Sequence, residues 1–359
     1  ATRLRSLFAA RHLDGRLSDG GRTMIWRLTA RMIGEHPFAG VGAGNFPIRL
    51  PEYYAAPEAN MASVHTDTWS RPHNDFLQVA AEKGIPAVVA FGGMFVAALA
   101  STVATARRAG STRDGWLAVF LAAAIAAYLA TSCFDFPLER VSHQATLAVL
   151  LAAIVLLRRR AATEGELNVD PRPRGRRMAV VAAVAVIGLV AAIAWTGVAL
   201  EQERAAVQAR AALEAGRPED ALRFARRGTT PWRTLDARGT PVAFFEGVAR
   251  MQLGDAAGAT ACLERARRAN PTRLAVLNDL GIAYATAGRT DDAIECFTAA
   301  VALYPHRPEG ITNLAGCYLD AGRPGDAVAL LEQVPAAQRT EAMEEHLDRG
   351  REMLHEPAE

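Results

Sequence analysis

The residues best suited to chemistry lie in one short stretch, Arg71-Pro72-His73-Asn74-Asp75-Phe76-Leu77-Gln78. An imidazole there can accept a proton from a hydroxyl near neutral pH, and a guanidinium can hold a pyrophosphate through paired, permanently charged hydrogen bonds. His73 with Asn74, together with Arg22 and Arg71, therefore supplies the parts that glycosyl transfer from a lipid pyrophosphate would require. The same residues fit a plainer reading, in which the histidine caps a membrane helix and the arginines merely meet lipid headgroups. Spacing alone leaves both open.

Two other constellations compete in the same region. His65-Thr66-Asp67 and His73-Asn74-Asp75 put two histidines and two aspartates within eleven residues, a set that could ligate a divalent metal. Loop ligands at arbitrary spacing are common by chance, and the expectation is no metal site. Gly40, Gly42 and Gly44 resemble a phosphate-cradling loop, yet no Lys-Ser/Thr follows them. Glycines serving a tight turn are the better reading.

The elements that must position these residues are read from hydropathy. Half of the 359 residues are hydrophobic and the mean hydropathy is +0.06, high for a wholly soluble chain. Four uncharged runs explain it: Gly84–Ala106, Gly115–Phe134, Val141–Leu157 and Met178–Leu200, of 23, 20, 17 and 23 residues. A spanning helix needs about 20 apolar residues, so four spans are expected, the 17-residue run being the shortest. His73 then sits a turn or two outside the membrane. Arg107, Arg108 and Arg113 join the first two spans, and Arg158, Arg159, Arg160, Arg172, Arg174, Arg176 and Arg177 join the third to the fourth. The positive-inside rule puts both of these loops in the cytoplasm. Residues 1–84, the turn Asp135–Arg140 and everything after Leu200 then face outward. The net charge is only +2 and the arginines flank apolar spans without interleaved aromatics, which argues against nucleic acid. Cys133, Cys262, Cys296 and Cys317 show no CxxC or His-Cys spacing and read as small core residues. The chain opens at Ala1 with no signal region before its first span, as a piece of a longer membrane protein would.

Within the outer loop, Ile25, Leu28, Met32 and Ile33 share one helical face between Arg22 and His36, and Pro37 ends that helix. Residues 161–177 form a Pro/Arg-rich linker. After Leu200 the sequence repeats with a period of 34: Leu280-Gly281, Tyr284, Ala293, Phe297, Ala300 and Pro305 are preceded by Gly247, Ala259, Leu263, Ala266 and Pro271 and followed by Leu314, Tyr318, Ala327 and Leu331. This is the tetratricopeptide pattern, in which paired helices stack into a solenoid that offers a concave surface to a peptide or helix. A more degenerate unit begins near Gln202, with Ala209, Ala212 and Ala221, and an insertion containing Pro231 and Trp232 follows it.

The segments Gly21-Arg22 through Trp26, His36-Pro37-Phe38-Ala39-Gly40-Val41-Gly42-Ala43-Gly44-Asn45-Phe46, and His73-Asn74-Asp75-Phe76-Leu77-Gln78 resemble the large periplasmic loop of the O-antigen ligase and polymerase superfamily. His73-Asn74, nine residues and Gly84 fit that family's histidine motif, with Ala87 departing from its last position. The resemblance covers about residues 18–157 and implies metal-independent, cofactor-free transfer of a glycan from an undecaprenyl-pyrophosphate donor to an acceptor hydroxyl. The acceptor would be lipid A core, another glycan or a protein. It further implies that His73 is the base, that Arg22 binds the pyrophosphate and that Asn74 orients His73 or the sugar. Arg71 and, in the second outer turn, Arg140 are weaker substrate-binding candidates, and Asp135 and Glu139 could line the same cavity.

The expectation is thus an all-α chain, a polytopic helical membrane domain followed by a tetratricopeptide α-solenoid. Its parts are an outer catalytic loop (1–84), three spans (85–157), a linker (158–177), a fourth span (178–200) and periplasmic repeats (201–359) that engage a protein partner. It would sit in the bacterial inner membrane. The rival is a non-catalytic membrane-anchored adaptor whose loop is only structural.

Overall fold

The computed structural model describes residues 19–54, 71–135, 137–139, 141–163, 175–230, 234–236 and 238–355. Among them the chain is all-α, with one isolated antiparallel bridge, Leu235 to Pro241, and it divides into two compact units: 1–50 with 69–181, and 51–68 with 182–359.

In the first unit, α1 (Asp19–Glu35) buries Ile25, Leu28 and Met32 of the expected face together with Met24, while Ile33 is only half-buried. A short helix, α2 (Phe46–Arg49), follows the glycine-rich turn, and α3 (Asp75–Lys83) leads to α4 (Ile85–Ala109). Then come α5 (Arg113–Phe134) and α6 (Val141–Thr163), which pack with α4. Their shared core holds Phe95, Ala98, Ala118, Leu121, Ile125, Tyr128, Leu147, Ile154 and Leu157. Phe76 of α3 enters it through a ladder of rings, 5.0 Å from Phe91, which lies 5.1 Å from Phe95, itself stacked 6.1 Å from Tyr128. The short helix after His73 is thereby anchored on the apolar bundle.

Two of these helices, α4 and α5, are long and apolar enough to cross a membrane. Their outward faces carry bare apolar side chains, among them Val89, Val96, Val103, Trp116 and Phe120. Such a continuous surface is costly in water and ordinary in lipid. The third apolar run lies within α6. The fourth lies in α7 (Gly175–Glu214), a 40-residue helix that passes Leu200 without a break. No glycine or proline interrupts 201–214, and Gly216 with Pro218 ends the helix, so the expected border between span and repeats falls inside one continuous rod.

In the second unit, the last turns of α7 and α8 (Pro218–Gly228) form the degenerate first repeat, with Ala206, Ala209, Ala212, Ala221 and Ala225 buried between them. Three helix pairs follow: α9 (Val242–Gln252) with α10 (Ala256–Ala269), α11 (Leu274–Thr286) with α12 (Thr290–Leu303), and α13 (Pro308–Asp320) with α14 (Pro324–Glu332). A last helix, α15 (Glu341–His355), covers the end through Met343 and Leu347. The periodic residues are the packing residues. A Cβ on Gly281 would stand 2.6 Å from the Phe297 ring, and one on Gly247 2.7 Å from Leu263. Residues Pro231 and Trp232 lie outside the described residues, but the end of their insertion is held by Asp236. Its carboxylate accepts from the backbone of Arg238 and Thr240 and from Arg210 at 2.6 Å. Tyr54, which belongs to this unit, packs edge-on against Tyr304 at 5.7 Å.

Candidate functional site

Three local features fix the histidine. Asn74 is the N-cap of α3: its Oδ1 accepts from the Leu77 amide at 3.0 Å, and its Nδ2 donates to the Cys133 carbonyl at 2.8 Å. Asp75, almost fully buried, accepts from the Leu138 amide at 3.1 Å. Trp26 of α1 donates its indole N–H to the Pro72 carbonyl at 2.7 Å. The chain on either side of His73 is thus tied to α1, to the end of α5 and to the second outer turn. Between these ties His73 takes φ +53°, the one positive φ outside glycine among the described residues. A non-glycine residue held there costs about 1–3 kcal/mol and persists only where its surroundings over-determine it.

The glycine-rich turn is a backbone clasp. Val41 and Gly42 donate to the carbonyls of Ala81 and Glu82 at 2.8 and 2.9 Å, and Ile85 donates to Pro37 at 2.7 Å. A Cβ on Gly40 would lie 2.3 Å from the Glu82 carbonyl carbon, and one on Gly84 2.1 Å from the Phe38 oxygen. With these amides already committed to α3, the turn reading of Gly40 and Gly42 holds and the phosphate-cradle reading has no donors left at Val41 and Gly42.

Electrostatics around His73 favour its neutral form. Burial lowers its pKa, Arg22 and then Arg71 lower it further, and Asp135 opposes them. An imidazole kept neutral can take a proton from a hydroxyl. Arg22 contributes a second property: its Nε is buried and has no hydrogen-bond partner among the described residues. A buried donor left unpaired costs about 1–3 kcal/mol, so an anion that satisfies it gains that much. Arg22, Arg71, His73 and Asp135 therefore gather around one point, and Asn74 frames it with both polar atoms of its amide engaged within the fold.

Arg140, His65 and Asp67 lie outside the described residues. Among those described, no group of three or more His, Cys, Asp or Glu side chains could hold a metal. Sequence reasoning gave no structural work to Trp26 or to Asp75, and placed Asp135 only as a possible lining of the cavity, without its effect on His73. Asp75 had a readable signal as an acid in the first turn of a capped helix. The long-range bonds of Trp26 and Asp75 had none.

Comparison with known proteins gives matches in two regions of the chain. Residues 5–92 match the O-antigen ligase family, and residues 246–308 and 285–344 match two tetratricopeptide-repeat families. Solved structures similar to the chain include the crystal structure of MamA (18% identity, TM-score 0.33, covering 43% of this chain and 78% of that one). A putative kinesin light chain from Podosopora anserina, with nearly identical TPR-like repeats, shows 23% identity and a TM-score of 0.37 over 43% of this chain and 87% of that one. TTC0263, a thermophilic TPR protein of Thermus thermophilus, shows 24% identity and 0.32 over 41% and 77%. None of the curated proteins matches the chain significantly.

Proposed function

We propose that the chain belongs to a membrane ligase or polymerase that moves a glycan from an undecaprenyl-pyrophosphate donor to an acceptor hydroxyl at the periplasmic face of the bacterial inner membrane. The match of residues 5–92 to the O-antigen ligase family supports the class, and one local observation supports the chemistry. Arg22, with a buried and unpaired Nε, stands beside a strained histidine whose surroundings keep it neutral.

The mechanism follows from that arrangement. The donor pyrophosphate binds Arg22 and Arg71, supplying the acceptor that the Arg22 N–H lacks. The acceptor hydroxyl hydrogen-bonds His73, which takes its proton as the oxygen attacks the anomeric carbon. The bond from that carbon to the pyrophosphate oxygen breaks, and the leaving group carries its charge to the arginines. Asn74 and Asp75 hold the histidine segment against the second outer turn, and Asp135 tempers the two positive charges. The reaction needs no metal or cofactor. The four apolar runs are read as spans, with residues 1–84 and 201–359 outside. The packing of Tyr54 on Tyr304 supports placing the middle of the outer loop and the repeats on one side of the bilayer. The repeats then present a groove to a protein, either an acceptor or a component of the assembly machinery.

The test is glycan transfer by the full-length protein in liposomes, comparing wild type, His73→Ala and wild type with EDTA. The expected result is loss in the variant and indifference to EDTA. Loss with EDTA would restore a metal-dependent reaction, and equal transfer by all three would leave the loop structural and the protein an adaptor.

A further inference from the structure

Phe38 is the most exposed large hydrophobic residue among those described, at 81% of its full area. It does not sit on a loose loop. Pro37, just before it, accepts from the amide of Ile85, the first residue of α4, and the Phe38 carbonyl approaches Gly84 so closely that no side chain fits there. Two residues on, Gly40 donates to His36, while Val41 and Gly42 are bonded to the end of α3. A bare aromatic ring is therefore held rigidly at the level where the apolar helix α4 begins.

The surface beside it continues in kind. Ile85 is 46% exposed and Val89 66%, and Val96 and Val103 extend the exposed apolar row along α4. Aromatic side chains at the ends of membrane spans settle at the boundary between headgroups and acyl chains. We propose that Phe38 is an interfacial anchor that inserts into the outer leaflet and fixes the depth of the His73 loop. The occupant is the bilayer itself, because the ring is bonded into the opening of an apolar span whose outward face runs on from it. Depth matters here because the clasp that carries Phe38 is bonded to α3, whose N-cap Asn74 directly follows His73, and a lipid-linked pyrophosphate lies at headgroup level. The inference rests on the reading that α4 crosses the membrane.

An environment-sensitive fluorophore placed by Phe38→Cys, Val96→Cys or Ala30→Cys in the full-length protein, reconstituted in liposomes, tests both points separately. Protein with only its native cysteines is carried through the same labelling as background. Quenching is expected at position 38 from nitroxide lipids labelled high on the acyl chain, at position 96, about 16 Å further along α4, from lipids labelled deep on it, and at 30, which lies between exposed Arg27 and Arg31 on α1, from neither. Quenching at 96 with position 38 behaving like 30 would overturn the anchor alone and leave Phe38 to water or a protein partner. Absence of quenching at 96 by both the shallow and the deep label would overturn the spanning reading and the anchor with it.

Discussion

At the scale of single residues, the charges around His73 make opposite predictions for opposite substitutions. Arg22 lowers the pKa of the imidazole, so Arg22→Gln raises it and moves the acid limb of the kcat/KM profile to higher pH. Asp135 raises that pKa, so Asp135→Asn moves the same limb to lower pH. Arg22→Gln also removes the pyrophosphate contact and lowers the maximum by about a hundredfold or more, by analogy with loss of one preorganised transition-state donor. Rate profiles of both variants check this, and limbs that coincide with wild type would separate His73 from the proton transfer. The proposed histidine, its asparagine and the remote arginine are picked out in the sequence by motif order and residue type, which survive without coordinates. Asp135 is placed there only as a possible lining of the cavity, and its effect on His73 is not readable. Its charge reaches His73 only because Asn74 and Asp75 bind Cys133 and Leu138, some sixty residues away, and no local pattern encodes those two bonds.

Elements were legible wherever one physical signal dominated. The 34-residue period and most of the face of α1 appear as expected, since each reflects burial by a regular structure, and of the four apolar runs, all helical, two lie in helices long and apolar enough to cross a membrane. The end of the fourth apolar run was not marked, because a change from lipid to water need not break a helix of good helix formers. Close backbone approach sets the limits on substitution. Gly84 combines φ +85° with a blocked Cβ, so Gly84→Ala is expected to cost more than about 2 kcal/mol and to lower both the melting temperature and transfer. Gly281→Ala drives a methyl into the Phe297 ring and costs about 1–3 kcal/mol, whereas Gly288→Ala, at positive φ in open space, costs about 1. Urea unfolding of the three variants gives that order. In α11, burial raises the Asp279 pKa to about 6. The folded state then binds a proton that the unfolded state releases near the ordinary carboxylate value, so stability falls as pH rises through that interval. Asp279→Asn is expected to stabilise by about 1–3 kcal/mol at pH 7 and by nothing once the pH falls to about 4. A gain that persisted in acid would mean that charge burial is not its cause.

At the scale of the whole molecule, the distribution of arginines and the packing of Tyr54 bear on the same question from independent directions. In the proposed topology the arginine-rich connections at 107–113 and 158–177 lie in the cytoplasm, with the outer loop and the repeats on the opposite side. The ring contact of Tyr54 with Tyr304 fits that proposal, since it puts residue 54 and the repeats in one compact unit. An odd number of crossings between them would forbid it, and four crossings permit it. Protease added to spheroplasts is therefore expected to cut within both 55–70 and 201–359 while sparing 107–113, and in inverted vesicles the pattern is expected to reverse. Cleavage of the repeats from the cytoplasmic side only would overturn the four-span count, because an odd number of crossings would then separate the repeats from the loop. The same outcome would remove the repeats from the compartment in which a periplasmic acceptor could be captured, so the proposed transfer would have to proceed without them.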